Sequence, residues 1–272
     1  MTRLSSEIVV PVISELDLYD RELIQKTGKN LRQIAAVSVG TAEAEIAKPV
    51  SSISTAVIPI TAGGGVIDGF APAVRAIISH LGFNSFVTRH NDVAGLAEGV
   101  EKGVDVVFLS DDKRFIALNL KERFIADNAE STGRGFATAL KLMADNLTGR
   151  KVLVIGAGKV GRSAMFRLKE YNADIAVYDI VRPKAQKAAE DFGAEVEEDL
   201  GDALRHNPLI FDASPAQGVL RAVDITPSTL IAACGMPLIL DAGAYKLVKE
   251  RLIHDPLQIG VATMLFSAVF CC

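Results

Sequence analysis

Residues Lys151 to Gly161 read KVLVIGAGKVG: five residues patterned as a buried strand, then a glycine turn, then the start of a helix. Gly156, Gly158 and Gly161 fit G-x-G-x-x-G, in which the first glycine permits the tight turn, the second lets backbone approach a pyrophosphate and the third lets helix pack on strand. Around it, Ser163 to Tyr171 continues with helical spacing and Asp174 to Tyr178 reads as a second strand. Asp179 ends that strand about 20 residues after the turn, where a ribose-binding acid belongs. The stretch predicts a dinucleotide site to which Gly156, Gly158, Lys159, Val160 and Gly161 contribute.

Asp179 can accept hydrogen bonds from both ribose hydroxyls and repels a 2′-phosphate, so it points to NAD. Arg182, three residues on, is the counter-argument, since it can pair with that phosphate. Further along, Ala213, Ser214 and Pro215 follow Asp212 at the end of the fourth strand of this half, where small residues let a loop pass under the cofactor; a simple proline turn accounts for the same letters. Cys234, after the next strand, is placed among the cofactor contacts as well.

The chain has 272 residues, 49% hydrophobic and 23% charged, which suits a globular protein with two cores. Because a dinucleotide fingerprint normally opens its domain, residues 1–147 are expected to fold as a substrate domain and 148–272 as a Rossmann-type domain. The net charge of −4, without basic runs, leaves no footprint for nucleic acid. No stretch reaches the roughly 20 apolar residues of a membrane span, and the N-terminal apolar run is too short for an export signal, so the expected compartment is the cytoplasm. Three cysteines, Cys234, Cys271 and Cys272, make neither a disulfide framework nor a metal spacing.

Upstream of the fingerprint the pattern also alternates. An amphipathic helix follows or spans Pro11, and a second covers Leu31 to Ala35. The strand ending at Ile60 runs into Thr61-Ala62-Gly63-Gly64-Gly65, whose glycines allow a ligand close to the backbone or serve plain turn chemistry. Helix Phe70–Leu81, strand Asn84–Thr88, helix Val93–Lys102 and strand Val104–Ser110 complete a βαβαβ unit, which predicts a small parallel sheet covered by helices. Asp111 and Asp112 stand at the C-terminal end of its third strand, the edge where ligands bind in open sheets; a polar turn into Lys113 and Arg114 is the alternative. No histidine pair has ligand spacing, and neither a G-x-S-x-G elbow nor a P-loop is present. The expected chemistry is redox work by a nicotinamide cofactor at a cleft between the domains.

The runs IPITAGGGVIDGFAPAVRAIISHLGFNSFVTRHNDVAGL, VVFLSDDKRFIALNL, IADNAESTG and DPLQIGVATMLFS together resemble the PylD family, NAD-dependent dehydrogenases of pyrrolysine biosynthesis, over nearly the whole chain. The resemblance implies oxidation of the terminal amine of a lysine acylated on its ε-nitrogen by 3-methyl-D-ornithine, release of ammonia, and closure of a pyrroline ring. It also implies a homodimer. Carried over by the matching runs, the substrate pocket falls on Thr61, Phe70, Ser110, Asp111 and Asp255, with Leu4 closing over it. Ser110 stands where the family pattern has alanine, and Asp255 where it has glutamate. Asp111 is expected nearest the chemistry, as general base or as anchor for the reacting amine. A shikimate-type or amino-acid dehydrogenase and a nucleotide-sensing module are the rival readings. The shikimate type would call for a lysine base in the first domain, and none of its lysines stands at a strand end beside a polar partner in the way that reading requires.

Overall fold

A computed structural model describes residues 4–41, 50 and 52–271. Cys272 and most of the small-residue loop before the first strand lie outside them. Contacts divide the chain into two units. Unit 1 comprises Met1–Glu22, Asn30–Ser131 and Pro256–Cys272; unit 2 comprises Leu23–Lys29 and Thr132–Asp255. The division does not follow one break near residue 147, because the last seventeen residues belong with the first unit, not with the nucleotide-binding part.

In unit 1, Pro11 separates α1 (Ser6–Val9) from α2 (Val12–Thr27), and α3 covers Leu31–Val39, started by Asn30, whose side chain accepts the Gln33 N–H. The sheet is built from β1 (Ser54–Ile58), β2 (Asn84–Val87), β3 (Val106–Ser110), β4 (Phe115–Asn119) and β5 (Phe124–Asp127) in the order β2-β1-β3-β4-β5. The first three are parallel, linked by α4 (Phe70–His80) and α5 (Asp92–Glu101). The predicted parallel βαβαβ unit is β2-β1-β3, and two further strands, β4 and β5, extend it antiparallel. Four residues separate β3 from β4, and a parallel return needs a crossover of a dozen or more.

The helix α11 (Gln258–Phe270) completes this core. Residues Gln258 to Ala268 are all buried, which explains a helix with no polar face. Phe266 packs edge-on against Phe83 at 5.9 Å, and the Asn119 side chain donates to the Ala268 carbonyl at 2.8 Å.

Unit 2 holds β6 (Lys151–Ile155), α7 (Lys159–Glu170), β7 (Asp174–Tyr178), α8 (Arg182–Phe192), β8 (Glu195–Val196), α9 (Leu200–His206), β9 (Leu209–Asp212), β10 (Leu230–Ala233), α10 (Ala242–Val248) and β11 (Leu252–His254). They follow α6 (Asn128–Met143), whose C-terminal part belongs to this unit. All six strands are parallel in the order β11-β10-β9-β6-β7-β8. In chain order within the sheet this is 3-2-1-4-5-6, the doubly wound Rossmann arrangement, whose connections reverse between β6 and β9. After the exposed Lys151 and Asp174 that begin β6 and β7, these strands run apolar, as β9 does up to Asp212, because both of their faces are covered. Among the described residues no helix is long and apolar enough to cross a membrane.

Candidate functional site

At the reversal point of unit 2, Gly156 adopts φ +97, a left-handed conformation that L side chains rarely take. A Cβ at Gly161 would stand 1.8 Å from the Gly156 carbonyl oxygen, so the first turn of α7 sits on the end of β6 only because that atom is missing. Gly158 is different: its φ is ordinary, and no atom lies within 4 Å of where its Cβ would be. Neither conformation nor packing inside the chain calls for glycine there, and the open space it leaves fits an approaching pyrophosphate. Gly158 caps α7 without a side-chain hydrogen bond and no acid occupies the first turn, so the amides of Lys159, Val160 and Gly161 face an anion site.

Asp179, just past β7, is fixed by backbone. Its Oδ2 accepts the Ala157 N–H and its Oδ1 the Val181 N–H, both at 2.8 Å, which leaves lone pairs on each oxygen for ribose hydroxyls. Arg182 is turned to Glu198, with Nη2 to Oε1 at 2.6 Å. The residues of unit 2 therefore fit a nicotinamide dinucleotide.

Across the reversal, Asp212 is fully buried at the end of β9. Its Oδ1 accepts the Ser214 N–H at 3.0 Å and hydroxyl at 2.6 Å, shaping the loop of Ala213, Ser214 and Pro215. Its Oδ2 has no hydrogen-bond partner. Burial drives its pKa up to about 7, against the pull of the two Ser214 bonds. Cys234 donates its thiol to the Asp212 carbonyl at 3.2 Å, and burial, with the charge of Asp212 second, pushes that thiol well up, so it is no nucleophile. Asp255 is buried directly after β11, and the neighbouring His254 has Nδ1 2.8 Å from the Ala233 carbonyl oxygen. Asp212 was not singled out as a site residue by the sequence; the signal was an acid closing an otherwise apolar strand.

In unit 1, the end of β3 and the glycine loop enclose a cavity of about 60 Å³, lined among others by Ile60, Phe70, Ser110, Asp111 and Asp112. At roughly 10–15 Å³ for a single water, that is room for a small polar group. Phe70 is held edge-on by Phe115 at 5.3 Å. It starts α4 after Gly69, where an added Cβ would meet Val10 at 2.6 Å, so the segment after α1 lies directly over this helix start. Leu4, half-buried, precedes α1 and is not among the cavity's lining residues.

Asp111 makes a turn with its own strand end: Oδ1 accepts the Lys113 and Arg114 N–H groups at 2.8 and 2.7 Å. Those two amides hold its carboxyl below the usual range, with the Lys113 charge adding to them. Asp112 reaches the other wall, its Oδ2 accepting the Gly64 N–H at 2.6 Å. The polar turn and the candidate site are the same structure.

Thr61 is next to the lining residues Ile60 and Ala62 but not itself one of them. Its hydroxyl and amide are taken by Asp92, a residue given no role by sequence reasoning. No lysine lines the cavity. Among the described residues no three His, Cys, Asp or Glu side chains gather as a metal site.

Residues 10–126 match the family described as pyrrolysine biosynthesis protein PylD, N-terminal domain, and residues 115–217 match the D-isomer specific 2-hydroxyacid dehydrogenase NAD-binding domain. The chain is 28% identical to pyrrolysine synthase of Methanosarcina barkeri over 271 residues, 99% of this chain and 98% of that protein. It is 32% identical to pyrrolysine synthase of Methanosarcina acetivorans over 213 residues, 78% of this chain and 80% of that protein. Among solved structures, shikimate dehydrogenase from Aquifex aeolicus superposes with a TM-score of 0.53 at 15% identity, covering 81% of this chain and 93% of that one. Shikimate 5-dehydrogenase from Thermus thermophilus, in complex with NADP(H) and shikimate, gives 0.52 at 18% identity, covering 81% and 94%. At such identities the likeness is one of fold.

Proposed function

The chain belongs to the pyrrolysine synthase family, and from that premise we propose that it is the NAD-dependent enzyme that oxidises the terminal amine of 3-methyl-D-ornithyl-Nε-L-lysine. Loss of ammonia from the oxidised carbon and attack by the ornithyl α-amine then close the pyrroline ring. NAD, when bound, supplies the two-electron acceptor; the chain's residues supply binding, orientation and charge.

The observation that carries the reading is Asp111. It is a carboxylate on the wall of a small cavity, held ionised by two backbone amides, with one oxygen in the turn and the other available to an ammonium group. A carboxylate held below its usual pKa is a poor base and a good counter-ion. Asp111 therefore anchors the reacting amine, with Asp112 behind it on the glycine loop, and the proton that must leave before hydride transfer goes to solvent. Phe70 and Ile60 supply the apolar wall for the methylated ring carbons.

NAD rather than NADP follows from Asp179, whose charge repels a 2′-phosphate, and from the engagement of Arg182 with Glu198.

The test is NADH formation with the synthetic lysine compound, with shikimate as the rival substrate, in the native protein and in Asp111→Asn. Asparagine keeps the Oδ1 acceptor for Lys113 and Arg114, so the turn survives and only the charge is removed. The expected result is turnover with the lysine compound only, lower by about a hundredfold in the variant, as when a charged hydrogen-bonding partner is lost, with unchanged NAD affinity. No NADH, or near-normal turnover in Asp111→Asn, would refute the substrate or the anchor respectively.

A further inference from the structure

Asp212 stands outside the mechanism above. It is completely buried, carries one oxygen without a partner, and no arginine or lysine contributes to its environment. Leaving a charged group in that state is costly. A carboxyl kept only to shape a loop needs just the Oδ1 that holds Ser214.

Its position in the sheet gives the second oxygen a use. Asp212 is in register with Ile155, the last residue of β6, and a Cβ on Gly156 would stand 3.1 Å from the backbone of Ala213. The carboxyl is thus at the floor of the fingerprint turn, on the far side of β6 from Asp179. With the adenosine ribose on Asp179 and the phosphates on the first turn of α7, the nicotinamide half of a bound dinucleotide would extend over the ends of β9, β10 and β11. The titratable groups there are Asp212 on β9, Cys234 after β10, and His254 and Asp255 at β11; the turn after β6, Gly156 to Gly158, brings none. The thiol is neutral, and the His254 Nδ1 is engaged by a backbone carbonyl. Asp212 itself has no cation of the chain acting on it, so a cation there would be provided by a ligand.

We propose that Asp212 is a protonated carboxyl in the free protein that loses its proton to solvent when the oxidised, cationic nicotinamide binds, and regains one when the cofactor is reduced. The amine oxidation, R–CH2–NH3⁺ + NAD⁺ → R–CH=NH2⁺ + NADH + H⁺, frees one proton, and Asp212 takes one up as the positive charge beside it disappears. It is a positioning residue for charge, not a group that touches the substrate. The rise of its pKa to about 7 by burial agrees with this.

The inference rests on the dinucleotide reading of unit 2 but not on the identity of the substrate, so its test uses nucleotides alone. Binding of NAD⁺ and of NADH is followed calorimetrically at pH 6 to 8 in buffers of different ionisation enthalpy, which reports protons exchanged. The expected result is release of most of one proton with NAD⁺ near pH 6 and almost none with NADH. The NAD⁺ dissociation constant should rise about tenfold from pH 8 to 6 while that of NADH stays level, the linkage of a single group titrating near 7. Asp212→Asn should abolish both differences. Equal proton release with the two nucleotides, or release that persists in the variant, overturns the proposal; the first needs no variant. Failure of either nucleotide to bind would overturn the cofactor reading and this inference with it, whereas binding without proton linkage overturns this inference alone.

Discussion

Asp92 grips Thr61 with both carboxylate oxygens: Oδ1 accepts the Thr61 N–H at 2.8 Å and Oδ2 its hydroxyl at 2.5 Å. These bonds lower the pKa of Asp92, the hydroxyl first and the amide second, so the clamp is ionised at any pH where the protein works. Asp92 holds φ +53 to do this, a conformation that disfavours a side chain. Thr61 is thereby fixed as the entry to the glycine loop, one residue from the cavity wall.

The clamp separates positioning from stability. Asp92→Gly removes the unfavourable φ along with both hydrogen bonds, so thermal stability should hold or rise while KM for the proposed lysine substrate increases about tenfold, the effect of losing hydrogen bonds to a charged group. NAD affinity should not move. Steady-state kinetics with a melting curve check this, and an unchanged KM would mean that the position of Thr61 does not matter to the substrate.

The proposed preference for NAD rests on the contrast between Asp179, pinned by two backbone amides, and Arg182, paired with an exposed Glu198. Exposed ion pairs are weak, so Glu198→Gln alone should change little. Asp179→Ser should weaken NAD by roughly ten- to a hundredfold, the range for a lost charge-assisted contact. Combining the two substitutions frees Arg182 to meet a 2′-phosphate, and kcat/KM with NADP should then rise at least about tenfold over Asp179→Ser alone, as expected for a new arginine–phosphate pair. If NADP use does not respond to Glu198, Arg182 is not the residue that would read that phosphate.

The Rossmann half was legible because each of its signals is local. The apolar run of β6, the glycine spacing and the acid at the end of β7 lie within 29 residues and depend on nothing distant. Unit 1 was less so. Phe124–Asp127 is too short and too mixed to announce itself, and it becomes a strand by pairing with β4 across a tight turn. The helix α11 carries no polar face to indicate which core it enters, and it is placed by Phe83, Ser38 and Asn119, all more than 140 residues away in the chain. Of the residues that the resemblance places in the pocket, Phe70, Ser110 and Asp111 line one cavity, because β1 and β3 are parallel and the helix start that follows β1 shares an edge with the end of β3; Thr61, Leu4 and Asp255 are not among its lining residues. The roles of Asp92 and Asp212 were hidden, since one depends on a backbone angle and the other on being buried with an oxygen unmatched.

That unmatched oxygen gives the protein without cofactor a particular response to pH. The Asp212 carboxyl moves from 3.8 in the unfolded chain to about 7 in the fold, so between these values the folded state holds a proton that the unfolded state has lost. Its contribution is fully present below pH 3.8, is lost steadily as pH rises toward 7, and is absent above it. About three units at roughly 1.36 kcal/mol each amount to on the order of 4 kcal/mol, of which more than half falls between pH 5 and 7. The carboxylates with lowered values, Asp92, Glu98, Asp111 and Asp191, act in the opposite direction, and their contributions are complete above about pH 5. The melting temperature of the protein without nucleotide should therefore fall from pH 5 to 7 and level off near 8. In Asp212→Asn, which keeps the acceptor for Ser214 but cannot ionise, that fall should be absent, so the variant becomes the more stable form at pH 8. Parallel curves for the two proteins would mean that the buried carboxyl is already ionised at pH 5, and that its second oxygen is satisfied without a ligand.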